Sequence, residues 1–223
     1  MNDDTGRKAF IFGATDLAVL LQSNLKSLGR NHVEAFVVDR RFRTAATLLG
    51  LPVIDTEDLA ARFDPAEYGC YICIGYNGMN DHRATAHARL RGMGYCPLNF
   101  FHPSAHVHCE SCGTGNLVFQ NATVDFYTAI GDGNIVYPNA LVAHHNTVGS
   151  FNFFSVSCCV AGHTVVADNC FIGANATVGN GVSLGHHSLI GAGAYVSSSV
   201  KPYGVVVPQK SVTLDGKKST DFL

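Results

Sequence analysis

From Cys112 onward the chain repeats every six residues. The first position of each sextet reads Cys112, Val118, Val124, Ile130, Val136, Val142, Val148, Phe154, Val160, Val166, Ile172, Val178, Leu184, Ile190 and Val196. All but the cysteine are aliphatic or phenylalanine. The next position is often small, as at Gly113, Gly131, Ala143, Gly149, Ala161, Gly173, Gly185 and Gly191. The fifth is small or polar, as at Asn116, Ala122, Thr128, Asn134, Asn146, Asn152, Cys158, Thr164 and Cys170. Fifteen sextets pass without an insertion or deletion. A hexapeptide period predicts a parallel β-helix. Each sextet is a short strand and a corner, with its first side chain pointing inward. Three sextets close a triangular coil, so residues eighteen apart stack at about 4.8 Å. Five coils follow.

The first hundred residues have a different pattern. "KAFIFG" (residues 8–13) is a buried strand, followed by a helix with Leu17, Leu20, Leu21 and Leu25 on one face and Gly29 as its stop. "VEAFVVD" (33–39) and "CYICIG" (70–75) are further apolar strands. "LPVID" leads into "TEDLAARF", with Thr56 as N-cap, and "NDHRATAHARLRGMG" is a helix ending near Gly94. Continuous apolar strands alternating with helices predict a parallel sheet covered on both faces. The expected organisation is a small Rossmann-like parallel α/β domain over residues 1–103, then the β-helix over 104–223.

Ligands on such sheets bind beyond the carboxyl ends of the strands. Those ends carry Gly13-Ala14-Thr15-Asp16, Asp39-Arg40-Arg41 and Gly75-Tyr76-Asn77. "FGATDLA" lacks a full G-x-G-x-x-G. Gly13 permits a tight turn into a helix N-terminus that favours anions, but such a turn also needs glycine for structural reasons. Asp39 suits a ribose hydroxyl, or is a solvated turn residue. Asn77, Asn80 and Arg83 suit phosphate or sugar hydroxyls; the bland alternative for Arg83 is a surface helix residue.

Histidines punctuate the repeat. "VAHHNTVG" (142–149) puts His144 and His145 on a corner, and His163 lies eighteen residues after His145. His186-His187 occupy another corner as solvent or interface residues, and His102 and His106 flank the domain junction. His106, His108, Cys109 and Cys112 have zinc-like C-x2-C spacing. No second ligand pair follows, and the segment runs straight into the repeat, so no metal is expected.

The chain of 223 residues is 47% hydrophobic and 14% charged, with a net charge of -2. It can bury a core, and it has no electrostatic footprint for nucleic acid or anionic membrane. The basic runs are no longer than pairs, as at Arg40-Arg41 and Lys217-Lys218. The acidic start is unlike a signal peptide, and no apolar stretch is long enough to span a membrane. A cytoplasmic protein is the expectation, with its eight cysteines mostly reduced. Cys70 and Cys73 read as core residues.

Taken together, the two modules resemble the hexapeptide-repeat sugar acetyltransferases of the sialic-acid and bacillosamine type. The resemblance spans Lys8 to Lys210. It includes the link "FFHPSA", the tail "GVVVPQK" and the H-x-x-x-V-G context of His144. It implies a left-handed β-helix and acetyl-CoA as co-substrate. The implied reaction is N-acetylation of a nucleotide-linked amino sugar, with direct attack on the thioester. His144 is then the general base, with His145 beside it where the family often has an acid. Gly162, one coil above His144, is the implied backbone oxyanion donor. Phe153, Gly162, Ala174, Ala192 and Lys210 match cofactor-binding positions. Phe153 replaces a second histidine, and "GATDLA" departs from the usual G-x-G-G-H. Outward Phe119, Phe126, Tyr127, Phe151 and Phe153 point to a homotrimer with active sites between prisms. Sugar O-acetylation and a non-catalytic, sugar-binding β-helix are the alternatives.

Overall fold

The computed structural model describes residues 7–210, 215–216 and 220; the acidic start and the Lys217-Lys218 pair lie outside them. The first module contains β1 (Lys8–Phe12), α1 (Asp16–Ser27), β2 (Val33–Val38), β3 (Thr47–Leu48), β4 (Leu51–Asp55), α2 (Leu59–Arg62), β5 (Tyr68–Ile72), α3 (Asp81–Gly92) and β6 (Cys96–Pro97). Its sheet order is β3-β4-β2-β1-β5-β6, parallel except for β3. Period-two alternation along β1 sends Ala9 and Ile11 to one face, beneath Leu17, Leu21 and Leu25 of α1. Phe10 and Phe12 go to the other, against Leu59, Ala86 and Leu90. The β3–β4 hairpin was not expected. Its two-residue turn has φ 49° at Leu49 and 81° at Gly50, as a primed turn requires, but Leu-Gly is not the usual signature.

The second module is a three-faced parallel β-helix. Face one has seven strands, from Phe100–Phe101 to Val205–Val206; face two has six, from His106–Val107 to Tyr195–Val196. Face three has five, from Ser111–Cys112 to Ser183–Leu184. Leu117 pairs with Ile135, Thr123 with Leu141 and Ala129 with Thr147, which is the eighteen-residue register. Phe100–Phe101 already belongs to this prism and pairs with Leu117–Val118. The change of architecture therefore falls between Pro97 and Phe100, ahead of the expected boundary at residue 103.

The inward column holds Val118, Val136, Phe154, Ile172 and Ile190, each at most 1% exposed. The fifth positions do more than fit. Asn116, Asn134 and Asn152 form a buried ladder along one corner. Asn134 N–H donates to Asn116 Oδ1 (2.8 Å), Asn152 N–H to Asn134 Oδ1 (2.9 Å) and Cys170 N–H to Asn152 Oδ1 (2.7 Å). Each side chain satisfies a corner N–H that would otherwise be buried without a partner. Thr128, Asn146 and Thr164 repeat the device at a second corner.

The outward side chains of face one are apolar and lie under the first module. Phe100, Leu117, Phe119, Ile135 and Phe153 join Leu21, Leu25 and Tyr71 in one buried cluster. This corrects the expectation for Phe119 and Phe153, which are 0% and 2% exposed. They seal the two modules of one chain together and are not on a free prism face. Phe151 is half-buried against His87. Phe126 and Tyr127 remain exposed. No helix among the described residues is long and apolar enough to cross a membrane.

Candidate active site

His144 and His145 stand on the corner between faces two and three, the edge opposite face one and therefore opposite the first module. His145 has φ 58° and His163 φ 56°, so both side chains leave the corner in the same direction. Backbone bonds fix the coils: His145 N–H donates to Phe126 O and His163 N–H to His144 O (3.2 Å). His145 stacks between Tyr127 (centroids 4.7 Å) and His163 (4.9 Å). The Nδ1 atoms of His144 and His145 are 2.9 Å apart, so one proton is shared between them. His145 is thus the hydrogen-bonding neighbour of the His144 ring.

Gly162 forms the seat for the His144 ring. A Cβ there would lie 2.7 Å from Cε1, 3.1 Å from Nδ1 and 3.2 Å from Nε2 of His144. Ala161 N–H and His163 N–H are bonded to the Val178 and His144 carbonyls. Among the described residues the Gly162 N–H meets no backbone acceptor. Ala174 and Ala192 stack on a different corner, between faces one and two, and Lys210 is exposed beyond the last strand. Within one chain, the expected cofactor residues therefore split between two edges. Phe153 is not available to a cofactor, because it packs against Tyr76, Tyr137 and Phe171.

At the sheet edge, Gly13 has φ 118°, and a Cβ would meet the Cys73 carbonyl at 2.6 Å. Thr15 caps α1, accepting from Ala18 N–H and donating to Cys73 O (2.8 Å). These two residues are committed to the turn, while Ala14, Asp16 and Asn77 are exposed. Tyr76, named in the sequence only as part of a strand end, has a packing role. Its ring meets Phe153 and Phe171 edge-on and carries the Gly75–Asn77 loop onto the prism. Burial raises the Tyr137 pKa, with Cys73, Tyr76 and Asp16 adding to the shift, and Tyr137 packs on the same Phe153 ring that Tyr76 meets.

Arg83 and Asn80 are corrections. Arg83 is 1% exposed. Its Nε donates to Gly133 O, Nη1 to Ile74 O and Gly75 O, and Nη2 to Phe151 O and Asn152 O, at 2.7–3.3 Å. Burial lowers its pKa to about 9, still charged at neutrality, and five carbonyl dipoles take the place of a carboxylate. Asn80 is 0% exposed and donates to the Asn169 and Cys170 carbonyls. Both residues lock the start of α3 to the prism and have no donor left for a substrate.

Asp39, Arg40, Arg41, Glu57 and Arg89 line an open cavity of about 530 Å³ at the end of β2. Burial opposes ionisation of Asp39, but hydrogen bonds from Arg89 (2.6 Å) and Thr56 (2.9 Å) hold its pKa below the usual range. Arg40 is paired with Asp55.

The C-x2-C segment does not gather a metal set. Cys109 is buried, its pKa lowered to about 7 by a hydrogen bond from Cys112. His108 stacks on Phe126 at 4.4 Å. Among the described residues, the one group of three with ligand atoms in mutual reach is His144, His145 and His163. His102 bonds Ser104. His187, at the corner between faces three and one, bonds Asp81 (2.9 Å) and His186 (3.1 Å). Cys158 is core, its thiol pKa pushed up to about 12 by burial.

The hexapeptide repeat of succinyl-transferase, as a family, matches residues 164–198. No curated protein matches the chain. Among solved structures, the acetyltransferase domain of PglB from Neisseria gonorrhoeae FA1090 gives a TM-score of 0.80 at 23% identity, covering 91% of this chain and 100% of that one. The same domain in complex with acetyl coenzyme A gives 0.74 at 23% identity, over 91% and 99%. A histidine-to-alanine mutant of GDP-perosamine N-acetyltransferase from Caulobacter crescentus, in complex with CoA and GDP-perosamine, gives 0.78 at 23% identity, over 91% and 97%. The chain carries a hexapeptide repeat and shares the fold of these acetyltransferases.

Proposed function

We propose that the protein is an acetyl-CoA-dependent N-acetyltransferase that acts on a nucleotide-linked amino sugar. The observation that carries this reading is the exposed His144 imidazole. It is seated on Gly162 and bonded to His145, in a fold whose solved relatives hold CoA and GDP-perosamine. The sugar ammonium first loses a proton to solvent. The free amine attacks the thioester carbonyl, and His144 takes the second proton as the C–N bond forms. The Gly162 N–H faces the developing oxyanion. The C–S bond then breaks, and the proton on His144 passes to the CoA thiolate.

The histidine corner and the sheet edge lie on opposite sides of the prism in one chain. A homotrimer brings the sheet edge of one copy to the histidine corner of the next, so each site draws on two chains. The cavity lined by Asp39, Arg40, Arg41, Glu57 and Arg89 then takes the nucleotide, with the exposed Asp16 and Asn77 at the neighbouring strand ends toward the sugar. The test is thiol release from acetyl-CoA against a panel of nucleotide amino sugars and free sugars. His144→Ala is expected to lower turnover by about 10²- to 10⁴-fold, the usual worth of a general base. Thiol release unchanged in that variant, or absent with every acceptor, overturns the proposal.

A further inference from the structure

We propose that His144, His145 and His163 form a binding site for a borderline divalent ion such as Zn²⁺, and that its occupancy switches acetyl transfer off. The inhibitory half rests on the function proposed above; the site itself rests on geometry alone. One ring nitrogen from each histidine lies within 4.8 Å of the others. A tetrahedral zinc with bonds of about 2.0–2.1 Å needs its nitrogens roughly 3.3 Å apart. The Nδ1 atoms of His144 and His145 are already 2.9 Å apart, and small side-chain rotations bring His163 in.

The scaffold is rigid where it matters. His145 and His163 occupy the same left-handed corner position on successive coils, with φ 58° and 56°. Their rings stack at 4.9 Å and 24°. Tyr127 backs His145 on its other side, and the His163 N–H to His144 O bond ties the two coils at this point. All three imidazoles are exposed, so an ion has free entry. No carboxylate belongs to the group. An imidazole-only donor set favours Zn²⁺, Ni²⁺, Cu²⁺ and Co²⁺ over Mg²⁺ and Ca²⁺. Three protein ligands leave a fourth position for water or an anion.

Binding requires neutral imidazoles, so the ion releases bound protons to solvent, and affinity falls as pH falls. A His144 nitrogen bonded to the ion has no lone pair for the substrate's proton. Metal and base function therefore compete for one side chain.

The test uses the chelator-stripped full chain, titrated with Co²⁺ by visible absorption and with Zn²⁺ by calorimetry. The expected result is one ion per chain, with the bands of four-coordinate cobalt and no thiolate-to-cobalt charge transfer. His163→Asn keeps a residue that tolerates positive φ and removes a ligand. It is expected to weaken both ions at least tenfold. Unchanged affinity in that variant, charge-transfer bands from cysteine, or no binding overturns the site. In the acetyl-transfer assay, stoichiometric Zn²⁺ is expected to inhibit the wild type, chelator to restore it, and His163→Asn to resist at the same concentration. Equal inhibition of both forms overturns the switch. Metal binding without any metal-free acetyl transfer overturns the proposed function and leaves the site standing.

Discussion

Replacing Gly162 by alanine tests the base through its seat. The new Cβ would fall 2.7–3.2 Å from three atoms of the His144 ring. Carbon contacts settle at about 3.5–4.0 Å, so the ring must retreat by roughly 1 Å. Gly162 does not have positive φ, so alanine adds no backbone strain. His144 is exposed and can rotate away at the cost of an off-rotamer torsion, about 1 kcal/mol. For a chain of this size that lowers Tm by about 2–4 °C. A displacement of about 1 Å at a reacting group costs up to about 10²-fold in rate. Alanine keeps the backbone N–H, so the variant separates the ring seat from any oxyanion donor. The assay is kcat for thiol release beside a thermal melt. In the His144→Ala background the second substitution is expected to change nothing further, because both act through one ring. Wild-type kcat in Gly162→Ala, or an added loss in the double variant, refutes the reasoning.

Arg83→Met leaves five carbonyls without their donor. It is expected to cost about 3–5 kcal/mol, read as a fall in Tm of about 10 °C; Arg83→Lys is expected to rescue little, since a point charge cannot reproduce the fork. Burial lowers the His87 pKa below its ordinary value of 6.5, so the folded state keeps it neutral where the unfolded chain takes up a proton. Stability is therefore expected to fall as pH drops below 6.5, with a slope of up to about 1.4 kcal/mol per pH unit from this group. Urea melts at several pH values should show a shallower acid slope in His87→Gln. His186→Ala is expected to leave kcat for acetyl transfer within about twofold, because His186 stands outside the proposed base corner; a loss near that of His144→Ala assigns the base to the wrong pair.

The β-helix was legible because its rule is local: one inward aliphatic residue every six, kept in phase from Val118 to Val196. The sheet was legible from apolar runs and glycine stops. What failed was docking. Phe119 and Phe153 look like surface aromatics when each sextet is read alone. A signal was present at the sixth position. There face one carries Leu117, Ile135, Phe153, Phe171 and Leu189, whereas face three carries Ala129, Thr147, Val165 and Ser183. An apolar run at eighteen-residue intervals marks the covered face. Arg83 had no such signal. It lies on a strongly polar helix, and only the carbonyls of the prism corner and of Ile74 and Gly75 make it a buried clamp. The ladder of Asn116, Asn134 and Asn152 was visible as letters, but its function follows from the corner geometry.

The two histidine pairs show why a motif needs its surroundings. His144-His145 and His186-His187 share a local geometry: the second residue has φ 58° in each, and the Nδ1 atoms lie 2.9 Å and 3.1 Å apart. Yet His187 is tied to Asp81 at the start of α3 and stacked on Tyr203. It joins the prism to the first module across the same corner that Arg83 and Asn80 clamp. That bond to a carboxylate makes the second pair look more like a catalytic relay than the first. Position argues the reverse. The corner at His186 is occupied by contacts that hold one chain together. The corner at His144 is open, carries a glycine seat, and faces away from its own first module. On the proposed reading, a base on the edge farthest from its own sheet meets a sheet-bound substrate only where another copy supplies it, so the proposed chemistry and the proposed trimer stand or fall together.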